Sequence, residues 1–302
     1  MDKKGFARSP LFYVGDKYKL LPEITPLFPK DIVRFIEPFV GGGSVFMNVK
    51  AQEYLLNDLD SYVISIHQYL CEQLKDPRCF FDRIYRIIDD YGLSCSLRRD
   101  DIPASLKTQY VKTYFAKYNK IPYEKMRSDY NKSAERSVEI LYILLIYGFN
   151  RMLRFNGKGD FNLPVGNVDF NKNTEDALND YFNLVKEKKI HWQNLDFNAF
   201  FRRYRQRAGD FIYLDPPYLI TFSEYNKYWN EETEDQLLNI LSRLNGQGVR
   251  FAISNVTHYK GKINERFLRW SEQFNVHPVK SNYISYHDNT IKSFNEVLVT
   301  NY

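Results

Sequence analysis

The 302-residue chain has only three cysteines, Cys71, Cys79 and Cys95, odd in number and without the close paired spacing of a zinc site. That argues against a disulfide framework and against structural zinc, and the thiols read as reduced. Long hydrophobic runs are missing as well. The longest, around residues 140–149, is far too short to cross a bilayer. Met1 to Ser9 is charged and lacks the apolar core of a secretion signal. Low-complexity tracts and internal repeats are absent. No full G-x-G-x-x-G fingerprint or P-loop lysine is present, which disfavours NAD and ATP. The expectation from these absences is a soluble, cytoplasmic protein.

What is present is ordinary globular chemistry, with 44% hydrophobic and 26% charged residues, enough for one large domain with an insertion or two modest ones. A net charge of +5 permits a polyanionic partner without requiring one. Aromatic residues are abundant at 17%.

Periodicity predicts an α/β start: a strand at 33–39, a glycine cluster, helical spacing at 45–49, a strand at 53–57 and an amphipathic helix over 61–74. After Asp76-Pro77 the next hundred residues read as helical and basic, with the best candidates at 80–91, 105–118 and 135–149. The α/β rhythm returns with a strand at 190–193, a helix at 198–207, a strand at 210–214, a helix at 231–245 and a strand at 250–254. It ends with a helix at 265–274, a strand near Val276 and a closing strand at 296–300. The fold class expected is α/β, one doubly wound sheet with helices on both faces, divided by an insertion. Residues 1–75 and 188–302 would form the sheet domain and 76–187 the insertion, with a β-hairpin at about 150–166.

Two motifs carry chemistry. Asp215-Pro216-Pro217-Tyr218 closes the strand at 210–214, where the prolines cannot continue a ladder. It sets a carboxylate, a stiff turn and an aromatic ring at a strand's carboxyl end, where open α/β sheets bind ligands. Its plainer reading is a strand closed by a proline turn. Earlier, Phe39-Val40-Gly41-Gly42-Gly43-Ser44 lets backbone approach a ligand closely as a strand turns into a helix. Asp58, closing the next strand, stands where doubly wound folds hold ribose hydroxyls. A tight turn and a surface aspartate are the alternative.

Together, Phe39 to Gly43 and Asp215 to Tyr218 resemble the motifs of S-adenosylmethionine-dependent amino methyltransferases acting on DNA. The order, glycine loop, long insertion, then Asp-Pro-Pro-Tyr, is that of the α group, and the chain looks most like the Dam adenine-N6 methyltransferases, especially the phage type. The resemblance covers nearly the whole chain. It implies S-adenosyl-L-methionine as cofactor, contacted by Tyr13 and Lys17 of the segment Phe12-Tyr13-Val14-Gly15-Asp16-Lys17. Phe39, Gly41 and Gly43 would cradle its methionine part, Asp58 its ribose, and Asp196 and Phe197 would border its adenine, with Asp215 also at the cofactor. Asp215 and the Pro216 carbonyl would accept the two N–H groups of an exocyclic amine, and Tyr218 would stack on the base. Because that amine is inaccessible inside a duplex, the base must flip out.

The insertion holds Gly148 to Pro164, where Asn156-Gly157 between alternating residues signals a hairpin. In Dam-like enzymes this hairpin reads outer base pairs. The resemblance therefore makes Arg154 the main base reader, supported by Asn150, Met152, Asn156 and Pro164. An ordinary exposed hairpin is the alternative. Lys107, Lys112, Lys117, Lys120, Lys125, Arg127, Lys132 and Arg136 are candidates for phosphate contacts, or merely a solvated face. Where phage-type relatives tend to carry a basic pair after the hairpin glycine, this chain has Gly166-Asn167-Val168. The implied partner is double-stranded DNA at GATC or a related GAT-containing site, in a bacterial or phage-infected cell. No metal or membrane is expected, and the oligomeric state is open, with a monomer acceptable. Cytosine N4, an RNA base, protein glutamine and a non-catalytic DNA-binding relative are the competing readings.

Overall fold

Asp210–Leu214 is buried at every position, as expected of a parallel strand covered on both faces. Among the described residues it is one of eight strands in a single sheet. The strands are β1 (Arg34–Glu37), β2 (Glu53–Asn57), β3 (Ile190–Gln193), β4 (Asp210–Leu214), β5 (Arg250–Tyr259), β6 (Lys262–Ile263), β7 (Asn275–Val279) and β8 (Phe294–Thr300). Their order is β3-β2-β1-β4-β5-β8-β7, with β6 pairing only to β5. The first five are parallel, whereas β8 runs antiparallel between β5 and β7. The order reverses at β1, which lies between β2 and β4, so the crevice at the carboxyl ends of β1 and β4 is the switch point of a doubly wound fold. This computed structural model describes residues 5–99, 101–221, 229–280 and 294–302; Met1 to Lys4 of the charged N-terminal segment lie outside them.

The described chain divides into two compact units. One comprises Lys17–Val40, Asn48–Leu59 and Lys188–Tyr302 and contains the whole sheet. On one sheet face Ile36, Ile212, Leu214, Phe251 and Ile253 pack with Phe200, Phe201, Leu237, Leu241 and Phe267 from the helices Phe197–Arg203, Glu231–Gly246 and Glu265–Ser271. On the other face Phe211 and Tyr213, which alternate with Ile212 along β4, meet the ring of Phe28 at 4.9 and 5.3 Å.

The other unit comprises Met1–Asp16, Gly41–Met47 and Asp60–Glu187. At its centre is Val138–Tyr147, whose last seven residues are all buried, as an all-round apolar helix must be. It is hydrogen-bonded to its neighbours by polar rims: the Tyr147 hydroxyl donates to Ser94 O (2.6 Å) and the Tyr123 hydroxyl to Leu144 O (3.2 Å). The helix Ser61–Glu72 and the glycine loop belong to this unit.

The helix expected over 105–118 is two helices, Ala104–Gln109 and Tyr114–Lys132, because Tyr110 (φ −123°, ψ 51°) leaves helical geometry. The second continues through Pro122. The helix Lys172–Val185, capped by the Asn171 side chain on Thr174 N, had no distinct signal in the periodicity. Among the described residues no helix is long and apolar enough to cross a membrane. Ile212, fully buried at mid-sheet, tests the core: Ile212→Ala should lower unfolding free energy by about 2–5 kcal/mol in urea titration, with the denaturant slope unchanged.

Candidate active site

β4 ends at Leu214, and Asp215 is the first residue released from the ladder. Its carboxylate is held from both sides. Asp215 Oδ2 lies 2.7 Å from Lys17 Nζ, and Oδ1 accepts from the Tyr218 hydroxyl at 2.8 Å. Lys17 opens the short 3₁₀ helix Lys17–Leu20 and is only 4% exposed, so its ammonium requires a countercharge. A second carboxylate completes the group: Glu296 on β8, 2% exposed, places Oε1 3.7 Å from Lys17 Nζ and 3.0 Å from the Tyr218 hydroxyl. Tyr218 has one hydroxyl proton and two carboxylate acceptors in reach, so it donates to one at a time. Lys17 Nζ also stands 5.2 Å from the centroid of the Tyr218 ring. Lys17, Asp215 and Tyr218, marked in the sequence, thus come together, and Glu296, seen there only as the start of a closing strand, joins them.

The same unit holds an aromatic cluster. Phe39, just beyond β1, meets Phe197 and Trp229 at 5.8 Å each, and Phe197 meets Trp229 at 5.7 Å. Trp229 gave no sequence signal. The cluster's backbone is fixed by Asn57, the buried last residue of β2: its Nδ2 donates to Pro38 O (3.0 Å) and Leu195 O (2.9 Å), and its Oδ1 accepts from Leu195 N (3.0 Å). One amide therefore ties the segments after β1, β2 and β3, carrying Phe39, Asp58 and Asp196. Asp58 is half-buried, and its carbonyl accepts from Asn194 Nδ2 at 2.9 Å. Asp196 is exposed and caps the helix Phe197–Arg203, with Oδ1 accepting from Asn198 N and Ala199 N.

In the other unit, Tyr13 packs on the glycine loop. A Cβ on Gly42 would lie 2.7 Å from Tyr13 Cβ, and one on Gly43 (φ 80°) would lie 2.3 Å from Phe46 Cε1. Substitution there would displace neighbours. Ser9 Oγ donates to Gly42 O, and Ser44 Oγ to Asp16 Oδ2 at 2.9 Å. Fully buried His67 sets Nε2 2.9 Å from Gly41 O. Burial brings its pKa down to about 4, so the neutral ring donates from Nε2 to the loop carbonyl.

The hairpin segment of this unit pairs Gly148 with Val165 and Phe155 with Phe161 through isolated antiparallel bridges. The connection is longer than an Asn-Gly two-residue turn: Asn156 N donates to Asp160 O, and Gly159 takes the positive φ of 77°. Asn156 is occupied within that turn, Oδ1 accepting from Lys158 N and Asp160 N. Arg154 is half-buried, with Nε on Asn162 Oδ1 (2.9 Å) and Nη2 on Asn162 O (2.8 Å). Asn150 and Pro164 are exposed and Met152 is half-buried. Arg127 and Arg136 serve the hairpin, bonding Leu163 O and Asp160 respectively, while Asn167 bridges to Ala116 N and Lys112 O. Among the described residues no group of His, Cys, Asp and Glu could hold a metal.

Comparison with known proteins supplies the decision. Residues 13–284 match the family described as D12 class N6 adenine-specific DNA methyltransferase. The chain belongs to that family. Among relatives, it is 36% identical to the "Modification methylase StsI" of Streptococcus sanguinis, over 99% of this chain and 43% of that protein. It is 35% identical to the "Type II methyltransferase M.FokI" of Planomicrobium okeanokoites, over 98% and 43%. It is also 28% identical to the "DNA adenine methylase" of Escherichia coli K12, over 96% and 94%. The chain thus spans less than half the length of the first two relatives.

For this D12-class chain the glycine loop has a pH signature. His67 is neutral in the fold and binds a proton more readily when unfolded, so its contribution is full above about pH 6.5 and is lost as pH falls toward 4. The urea midpoint should fall over that interval, and His67→Gln, which keeps a donor to Gly41 O, should flatten the fall.

Proposed function

We propose that the chain transfers a methyl group from S-adenosyl-L-methionine to N6 of a flipped adenine in duplex DNA, within GATC or a related GAT-containing site. The observation that carries this reading is Asp215, fixed at the end of β4 by Lys17 on one oxygen and by the Tyr218 hydroxyl on the other. When bound, the cofactor would supply an electrophilic methyl on a sulfonium and leave as the neutral thioether when its methyl–sulfur bond breaks, while the methylated nitrogen would shed one proton. Everything else falls to the protein.

An exocyclic amine is a poor nucleophile because its lone pair is delocalised into the ring. Asp215 Oδ1 and the Pro216 carbonyl accept its two N–H groups, which favours a pyramidal nitrogen with its lone pair directed at the methyl. Pro217 stiffens the turn that presents them, and Tyr218 stacks on the base. To free Oδ1, the Tyr218 hydroxyl turns to Glu296 Oε1, already 3.0 Å away, while Lys17 keeps hold of Oδ2. In this unit Phe39 and Phe197 offer apolar ring faces to the cofactor, with Asp58 and Asp196 as its acceptors. In the other, Tyr13 and the Gly41 to Gly43 backbone offer close approach. The aromatic cluster of Phe39, Phe197 and Trp229 suits the apolar part of such a ligand.

Residues 76–187 are the proposed target-recognition insertion, with Arg154, Asn150, Met152, Asn156 and Pro164 as its base readers. Arg154 reaches guanine by releasing Asn162. The α-group motif order and the likeness to phage-type Dam belong to this proposal, as does a modification role, which the names of the relatives favour.

Incubation with methyl-labelled cofactor and duplex DNA should yield N6-methyladenine. Asp215→Ala should reduce kcat by about 10²–10³-fold or more with the thermal midpoint preserved. Label found only in cytosine, RNA or protein, or site-specific DNA binding without cofactor affinity, would overturn the reading.

A further inference from the structure

The hairpin segment has two unlike faces. On its outgoing strand Leu153 is buried, whereas Met152 and Arg154 to either side of it are half-buried and Asn156 is exposed. The return strand alternates in the same way: Phe161 and Leu163 are buried, Asn162 between them is half-buried and Pro164 is exposed. Side chains two apart on an extended chain share a face, so Met152, Arg154 and Asn156 line one side while Leu153 and Phe155 line the other. The bond from Arg154 Nε to Asn162 Oδ1 joins the two strands on the first of these faces. The residues proposed to read bases thus stand together, and the opposite face is the one that anchors them.

The two strands are anchored by different means. The return strand is pinned through its backbone: the Asn131 side chain accepts from Phe161 N and donates to Phe161 O, at 2.9 Å each, and Arg127 donates to Leu163 O at 2.9 Å. The outgoing strand, which carries Arg154, is held through a ring. Phe155 lies flat on Tyr62, with centroids 3.8 Å apart and planes 10° apart, and Phe161 meets it edge-on at 5.3 Å and 75°. Tyr62 belongs to the same compact unit but to the helix Ser61–Glu72, where the Asp60 cap accepts from Tyr62 N at 2.9 Å. Both stacked rings are half-buried, so each restricts the other's motion. Phe155 is the immediate neighbour of Arg154, and its backbone cannot shift far without pulling the ring out of the stack.

We propose that Tyr62 is a positioning residue for sequence specificity: by stacking on Phe155 it sets the place of the strand from which Arg154 reads its base pair. This rests on the DNA-methyltransferase reading above. A guanidinium reading two acceptors on a guanine edge discriminates only while both hydrogen bonds keep good length and angle, whereas attraction to phosphates falls off slowly with distance. A small displacement of the strand therefore costs recognition of one base pair before it costs DNA binding in general.

The test measures kcat/KM of the whole protein on a duplex that it methylates and on the same duplex with single base pairs changed within the site. Arg154→Ala identifies the base pair that Arg154 reads. Tyr62→Ala should reduce discrimination at that same base pair by about tenfold, chiefly through KM, with kcat at saturating DNA held. Tyr62→Phe keeps the stacked ring and should restore discrimination. In the Arg154→Ala background, Tyr62→Ala should cost no further discrimination at that position. An equal loss on every duplex would show a merely structural role and overturn the proposal, and so would discrimination lost at other base pairs, or a Tyr62→Phe variant as impaired as Tyr62→Ala. A wild-type protein that methylates no duplex DNA would remove the underlying reading and this proposal together. Site-specific methylation by the wild type with Tyr62→Ala unaltered would remove the proposal alone.

Discussion

Everything at the site depends on a buried ammonium. Lys17 is 4% exposed, and a lone cation at such a place would cost several kcal/mol, so the carboxylates of Asp215 and Glu296 beside it are a condition of folding. They come from the turn after β4 and from β8, far apart in sequence, and the sheet brings them near because β4 and β8 both pair with β5. The Tyr218 hydroxyl, with a single proton, is in reach of both acids.

Asp215 is thus held on both of its oxygens. Lys17 determines where the carboxylate points, and the phenol has an alternative acceptor already in place. Glu296 lies on a strand paired on both sides, opposite Val256 of β5 and Val279 of β7, so its backbone is held by the sheet itself. Asn57 does similar work for the aromatic cluster through hydrogen bonds to three backbone groups after β1 and β3.

Much of this was legible in the sequence, and what escaped did so for physical reasons. The strands at 53–57, 190–193 and 210–214 match the structure residue for residue, because turn chemistry bounds each apolar run. β5 runs to Tyr259, beyond the 254 expected, since Asn255 and Thr257 read as polar loop although both are buried. Glu296, Asn57 and His67 share that disguise: an acid opening a strand, an amide closing one and an imidazole on an amphipathic helix all read as surface. Only tertiary partners reveal them as buried. Tyr62 is hidden differently, because a ring stacked on Phe155 of a distant hairpin leaves no mark on periodicity. The motif residues were visible because their chemistry is local, a turn that must break and a loop that must approach.

The network as a working unit is tested most directly by a double-mutant cycle on single-turnover methyl transfer with Tyr218→Phe and Glu296→Gln. If the hydroxyl passes from Asp215 to Glu296 as the amine docks, Glu296→Gln should slow transfer by about tenfold or more when Tyr218 carries its hydroxyl. In the Tyr218→Phe background it should slow transfer by a clearly smaller factor, the remainder reflecting its charge beside Lys17. Additive losses would contradict the account, leaving Glu296 as a packing residue and the shared proton without a role.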